Sequence, residues 1–384
     1  MKKFFFFFLA LFCLRGVFSQ SKIIQTKPLF LRIPPDARAS SLGESGASTS
    51  PDSFSQYWNP AKYPFSKIYS SIGISISPYL VKMTRLKDMY LVYGSFYSYL
   101  NNELKNTIAS SIYYYKGGKA YLTQYQKHTG QIINLGESNA YEFYIDLSYA
   151  MKLSSYYSMA LTLRYIRSDP FNNLSSISTK FQDYQAANSF ALDIAGFFKG
   201  DKKTYNKFDG FPQIGFTISN IGPKINYFKS NNRRKNSYLP TNLRIGTSYK
   251  FLFNKENELA IGMELNKLLV PSPNKQGVMP DKGIIKGILG SFYDAPEGLK
   301  EELREIIYSF YIEYALKYLQ LRSGYFHEPS QKGARKHMGL GIGMNYEEII
   351  IDLSYLIPFD SRSRKSFLSN VLKLTLSWNF GGPI

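Results

Sequence analysis

Few side chains in this 384-residue sequence have the type and spacing for covalent or metal chemistry. Its one cysteine, Cys13, cannot form an internal disulfide or a zinc cluster. The histidines His128, His327 and His337 are too scattered to suggest a metal site. His327 and His337 flank a loop with Glu328, which reads as a solvated loop pair rather than a catalytic dyad. Gly43-Glu44-Ser45-Gly46 is not a nucleophile elbow, because Ala47 stands where the closing glycine belongs. Gly339, Gly341 and Gly343 alternate with no helix after them, so they read as a thin inner wall and not a phosphate loop. The expectation is a protein without enzymatic activity, metal or cofactor. What the chain offers instead is charge: 47 Lys and Arg against 28 Asp and Glu, a formal +19.

The elements that position these residues follow from composition and period. At 16% aromatic and 44% hydrophobic the chain is not disordered. Its only long apolar run, Phe4 to Leu14, follows Lys2 and Lys3 and precedes Val17-Phe18-Ser19. That run is too short for a retained span and reads as a secretory signal over residues 1–19. Cleavage would remove Cys13 and three positive charges, leaving a cysteine-free, basic chain suited to a Gram-negative envelope.

From residue 68 on, apolar and polar residues alternate with period two. Leu372, Leu374, Leu376, Trp378 and Phe380 interleave with Lys373, Thr375, Ser377 and Asn379; Ile349 to Ile357 repeats the pattern. Fourteen strands are expected: 68–80, 89–98, 106–115, 141–151, 156–167, 188–199, 211–219, 241–251, 258–267, 307–316, 319–327, 337–346, 349–357 and 368–380. Most have the length a tilted strand needs to cross hydrocarbon. Segment 119–125 alternates weakly and is read as a loop extension. The gaps alternate long (116–140, 168–187, 220–240, 268–306, 328–336, 358–367) and short. A soluble β-sandwich also alternates, but it does not combine one-sided long loops, membrane-length strands and an aromatic-rich closing strand. The expected fold is all-β: a 14-stranded antiparallel transmembrane barrel over 68–384. Its apolar face meets lipid, Lys373, Asp352, Glu313 and Glu264 face the lumen, and tyrosines near strand ends form a girdle. With the first strand running outward, the long gaps are extracellular and both termini periplasmic.

Residues 20–67 do not alternate. Asp36 can cap a short helix ended by Gly43, and Ser50-Pro51 can open a second closed by Asn59-Pro60. A wet tail would leave Phe30, Leu31, Phe54, Tyr57 and Trp58 exposed, so the segment is expected to fold into the lumen as a plug.

Two features belong to the long gaps. The basic runs Arg233-Arg234-Lys235, Arg335-Lys336 and Arg362, Arg364, Lys365 would meet phosphates of the lipopolysaccharide leaflet; ordinary solvated loops are the alternative. An outer-membrane location excludes nucleic acid as a partner. In 268–306, Asp294 and Glu297 are spaced as a capping box, with Pro296 in the first turn. Leu299, Leu303 and Ile306 then share one helical face, expected to pack on the barrel rim while the loop as a whole docks a partner.

The run "IPPDARASSLGESGASTSPDSFSQYWNPAKY" resembles the N-terminal signature of the PorV family of the Bacteroidetes type IX secretion system. "LRYIRSD", "ISNIGPKI", "LPTNLRIG", "NKLLVPSPN", "FYDAPEGLKEELREI", "RSGYFHE" and "IDLSYLIPF" follow in family order across the mature chain. Asp36, Arg38, Trp58, Asn59 and Pro60 are its signature residues in the plug. The resemblance implies a barrel similar to the FadL transporters. It also implies a carrier that collects cargo by a C-terminal signal domain after a SprA-type translocon and presents it to a PorU-type sortase. The alternatives are a FadL-type channel for hydrophobic small molecules and a lipid A hydrolase. The polar lumen faces count against the channel.

Overall fold

The computed structural model describes residues 24–78, 89–101, 103–126, 128, 130–172, 174, 182–229, 236–274, 276–329, 332–359 and 371–383. The signal-like segment 1–19 lies outside them.

Period-two alternation becomes strand wherever one face is apolar and the other polar. The strands are β1 (Ile68–Pro78), β2 (Met89–Tyr99), β3 (Asn106–Tyr125), β4 (Ile132–Lys152), β5 (Tyr157–Asp169), β6 (Ala187–Lys199) and the two-residue β7 (Lys203–Thr204). There follow β8 (Asp209–Ile221), β9 (Asn242–Leu252), β10 (Glu258–Leu268), β11 (Ile307–Ala315), β12 (Leu319–His327), β13 (Lys336–Tyr346), β14 (Ile349–Pro358) and β15 (Leu372–Pro383). Each long strand pairs antiparallel with its sequence neighbour; β7 only extends the β6–β8 hairpin. β1 also pairs with β15, with Ile72 opposite Trp378 and Ile76 opposite Leu374, so the fourteen long strands form a closed barrel. Closure leaves the ring no unpaired edge, as a lipid environment requires.

Side chains sort as the pattern demands. Ile72, Ile74, Ile76, Ile349, Ile351, Leu353, Leu374, Leu376 and Trp378 face outward and are exposed, whereas Ser71, Ser75, Asp352, Lys373 and Thr375 are buried. Tyr156, Phe253, Tyr318, Tyr346 and Trp378 stand exposed near the short turns, as one aromatic belt. No helix among the described residues is long and apolar enough to cross a membrane, so crossing is by strands.

The two mouths differ. One carries the short turns 100–105, 153–156, 200–208, 253–257, 316–318 and 347–348; the other carries the long connections, with 269–306 the largest. Segment 119–125 is not the loop expected. β3 and β4 continue as a hairpin past bulges at Lys116/Lys119 and Leu122/Thr123, with Tyr121 opposite Glu137 and Tyr125 opposite Ile132. Only a few of its residues find cover, Ser138 buried and Leu122 packed on the core cluster, so backbone pairing holds the extension while most of its side chains are free of the alternation.

Candidate functional site: a filled lumen between two unlike mouths

Residues 24–67 run through the barrel. Near Ile24 the chain lies among the long loops: Lys27 N donates to Tyr238 O at 2.9 Å, and Ile24 packs with Leu268 and Val270. It reaches the short-turn mouth at Lys67, where β1 begins. The described chain therefore starts at the long-loop mouth and ends, at Pro383, at the short-turn mouth. The expectation that both termini share one end turns on residues before Ile24, which lie outside the described residues; of the described ends, Ile24 and Pro383 lie at opposite mouths.

Asp36 caps α1 (Ala37–Ser41), accepting from Ala39 N at 2.7 Å and from Trp58 Nε1 at 2.6 Å. Gly43, at φ +67°, ends that helix, and an added Cβ would stand 2.7 Å from Tyr325 O. The second helix, α2 (Ser55–Trp58), opens later than Ser50-Pro51, because Asp52 turns the chain by accepting from Phe54 N and Ser55 Oγ. Asn59 ends α2 and starts a 3₁₀ helix, Pro60–Phe65: its Oδ1 accepts from Ala61 N, and its Nδ2 donates to Ala47 O and Gly196 O. Phe30, Leu31, Phe54 and Trp58 are buried and Tyr57 half-buried, so the aromatics expected to need cover have it.

Ions tie the plug to the wall. Arg38 makes a two-pronged contact with Glu313 at 2.9 and 2.8 Å and reaches Asp52 at 2.6 Å. Arg322 holds the same Glu313 at 2.7 Å and Asp352 at 2.5 Å. Glu264 accepts from both Gly46 N and Ala47 N at 2.8 Å, and Lys62 donates to Gly46 O. Lys373 donates to Pro34 O and Ser40 Oγ. The four charges read as lumenal are therefore the ones that meet the plug or its ion network. Gly339 and Gly341 face Ser40 and Ser41, and Gly324 faces Leu42 and Gly43, so these wall glycines make room for plug backbone.

Toward the long loops the lumen narrows to a void of about 30 Å³ bordered by Arg32, Glu44, Trp58, Arg164, Arg244 and Arg335. Arg335 is not turned to lipid. It pairs with Glu328 at 2.9 Å and Glu44 at 3.5 Å and lies over the Phe326 ring; Arg32 takes the other Glu328 oxygen. Its planar fork and the nearby carboxylates outcompete solvent. Burial pushes the Glu328 carboxyl up, but Arg335 and Arg32 outweigh this and hold it below the usual range. His327 stacks on Tyr308, and the buried His337 stacks on Phe326, so this pair is not the solvated one expected. Lys336 opens β13 opposite His327. Arg233, Arg234, Lys235, Arg362, Arg364 and Lys365 lie outside the described residues.

The 269–306 connection carries α3 (Ile284–Gly290) and α4 (Leu299–Leu303). No capping box forms: Gly298 precedes α4, Asp294 instead accepts from Lys282 Nζ and Ser272 N, and Glu297 pairs with Arg304 at 3.7 Å. The helix also sits the other way round. Glu301, Glu302 and Glu305 are buried against Lys267 and Lys332 at 2.6 to 3.0 Å, and Leu299 and Leu303 stand 76% and 60% exposed. Two lysines from barrel and neighbouring loop recruit the carboxylates inward, which turns the leucines away from the rim. Pro296 is half-buried beside them. Sequence reasoning weighed the apolar stripe and missed the acidic one, whose signal was Glu301, Glu302 and Glu305 within five residues of chain.

The model of the family described as "Type IX secretion system protein PorV" matches residues 17–275, more than half of the chain. No curated protein matches. Among solved structures, the Pseudomonas putida toluene transporter TodX is 9% identical, with 94% of this chain and 99% of that chain covered and a TM-score of 0.51. A TodX deltaS2S3 mutant, described as a monoaromatic hydrocarbon channel, is also 9% identical, with 90% and 99% covered and a TM-score of 0.52. These likenesses establish a FadL-like barrel fold. With the plug signature, the family match identifies this outer-membrane chain as a member of the PorV family of the type IX secretion system.

Proposed function

We propose that this protein is a non-enzymatic carrier in type IX secretion. It takes up secreted cargo by the C-terminal signal domain as cargo leaves a SprA-type translocon, and presents it to a PorU-type surface sortase. The long loops face outward in this reading. The observation that carries it is the inverted helix α4 on the largest loop: Leu299 and Leu303 stand exposed, as do Ile285 and Tyr293 at 73% and 76% on the same loop, so the loop presents large apolar side chains without cover. The basic runs at 233–235 and 362–365, with Lys336, engage lipopolysaccharide phosphate in this reading. Replacing all of them by Ser should reduce lipopolysaccharide co-purification; an unchanged yield would sink that part.

The main test replaces Ile285, Tyr293, Leu299 and Leu303 by Ser, leaving the buried carboxylates intact. Co-purification of a cargo signal domain from solubilised membrane should fall at least tenfold, and cells should accumulate signal-bearing precursor. Undiminished capture with normal surface attachment would overturn the carrier reading. A FadL-type channel is the alternative. Its support is the shared fold, and the ion-paired plug that crosses the lumen and leaves only about 30 Å³ toward the long loops weighs against it.

A further inference from the structure

Between the plug and the short turns lies a cavity of about 500 Å³, in the size range of small-molecule sites. Phe54, Phe65, Phe211 and Tyr97 give its wall an apolar part; Lys67 and Lys199 stand among them. Its other cations are matched. Arg38 and Arg322 hold Glu313, Asp52 and Asp352; Lys250 holds Glu258; Lys202 holds Asp209. Lys67 and Lys199 have no carboxylate in reach among the described residues. Lys199 is half-buried and fixed over the Phe211 ring at 5.0 Å. The charges acting on it are those of Lys67, Lys250 and Lys152, all of its own sign. Lys152 in turn lies 4.8 Å over the Phe65 ring, on the pocket's border.

A solvated lysine needs no such setting. Here the half-buried Lys199 sits on a concave wall without a carboxylate, and the exposed Lys67 adds a second positive charge at the rim, so an incoming anion meets both. The rings beside them reward an apolar body on the same molecule. We infer that this mouth binds a small amphipathic anion, a carboxylate or phosphate monoester head on a short aliphatic chain. The head lies at Lys199 and Lys67 and the chain along Phe65 and Phe211. The site is at the opposite mouth from the α4 surface and does not depend on the carrier reading.

The test uses the full-length protein in lipid nanodiscs, with empty discs subtracted, and calorimetric titration of octanoate, octyl phosphate, inorganic phosphate and octylammonium. Octanoate or octyl phosphate should saturate at one site per barrel. The tighter of the two identifies the natural head group as carboxylate or phosphate. Octylammonium should show no saturable binding. Lys199→Gln should weaken the anion about tenfold, a typical worth for one charge-assisted contact, with Lys67→Gln weakening it less and Lys199→Arg restoring it. Heat-modifiable electrophoretic migration confirms that each variant keeps its barrel. No saturable anion binding would overturn the inference, as would affinity unchanged by both Gln substitutions. Inorganic phosphate binding as tightly as octyl phosphate would overturn it too, since the rings would then contribute nothing.

Discussion

At the long-loop mouth Arg32 and Arg335 divide the two oxygens of Glu328, and Arg335 also reaches Glu44. At the short-turn mouth Lys199 lies over the Phe211 ring, and the exposed Lys67 lines the same cavity. Both ends carry paired cations, but the second also keeps two lysines, Lys67 and Lys199, without a carboxylate among the described residues. Guanidinium forks suit a built structure, since each can hold two partners in a fixed plane; ammonium groups on long stems suit an exchangeable one. The same basic excess therefore does two jobs, sealing one mouth and leaving the other open to a ligand.

The largest expected effect tests the sealed end. Glu328→Ala takes the shared carboxylate from two half-buried guanidiniums, leaving Arg335 with Glu44, and should cost about 3 kcal/mol, the low end for a broken buried pair, read as a lower midpoint for heat-induced loss of the compact electrophoretic form. A change no larger than that of Lys199→Gln would erase the contrast between the mouths. Acid sharpens the same point. Because the folded-state Glu328 carboxyl lies below its ordinary range, its contribution is complete above the unfolded value of about 4.3. It fades as pH falls through the lower folded value. Glu328→Gln should flatten that part of the acid unfolding profile, and an unaltered profile would remove Glu328 from the account. Next in size, Gly324→Ala puts a methyl into Leu42 and Gly43 of the plug and should cost about 1–3 kcal/mol. It should also speed proteolysis within 24–67; protection equal to wild type would mean that the plug gives way freely. The smallest effect belongs to the open end. Lys199→Gln should move stability by no more than about 0.5 kcal/mol, while changing anion binding.

Much of the fold could be read from the residues alone. Alternation such as Ile349-Ile351-Leu353-Tyr355 against Asp352 and Ser354 fixes strand, face and register together, because a one-residue slip would put Asp352 in lipid. Asp36 and Gly43 mark a helix start and stop by local chemistry, and the structure agrees. What escaped reading depended on partners distant in sequence. The orientation of α4 is decided by Lys267 and Lys332, which no helical period within 299–306 contains. Arg335 looked like a surface run with Lys336 until Glu44, nearly three hundred residues earlier, came to meet it. The β3–β4 extension left only a weak pattern because few of its residues, Leu122 and Ser138 among them, are covered.

The path of residues 24–67 has a further consequence. A thread that enters among the long loops and leaves where β1 begins is encircled by a ring whose seam joins β1 to β15, the first strand to the last. The two ends of the described chain, Ile24 and Pro383, therefore stand at opposite mouths, although the ring that separates them has an even number of staves.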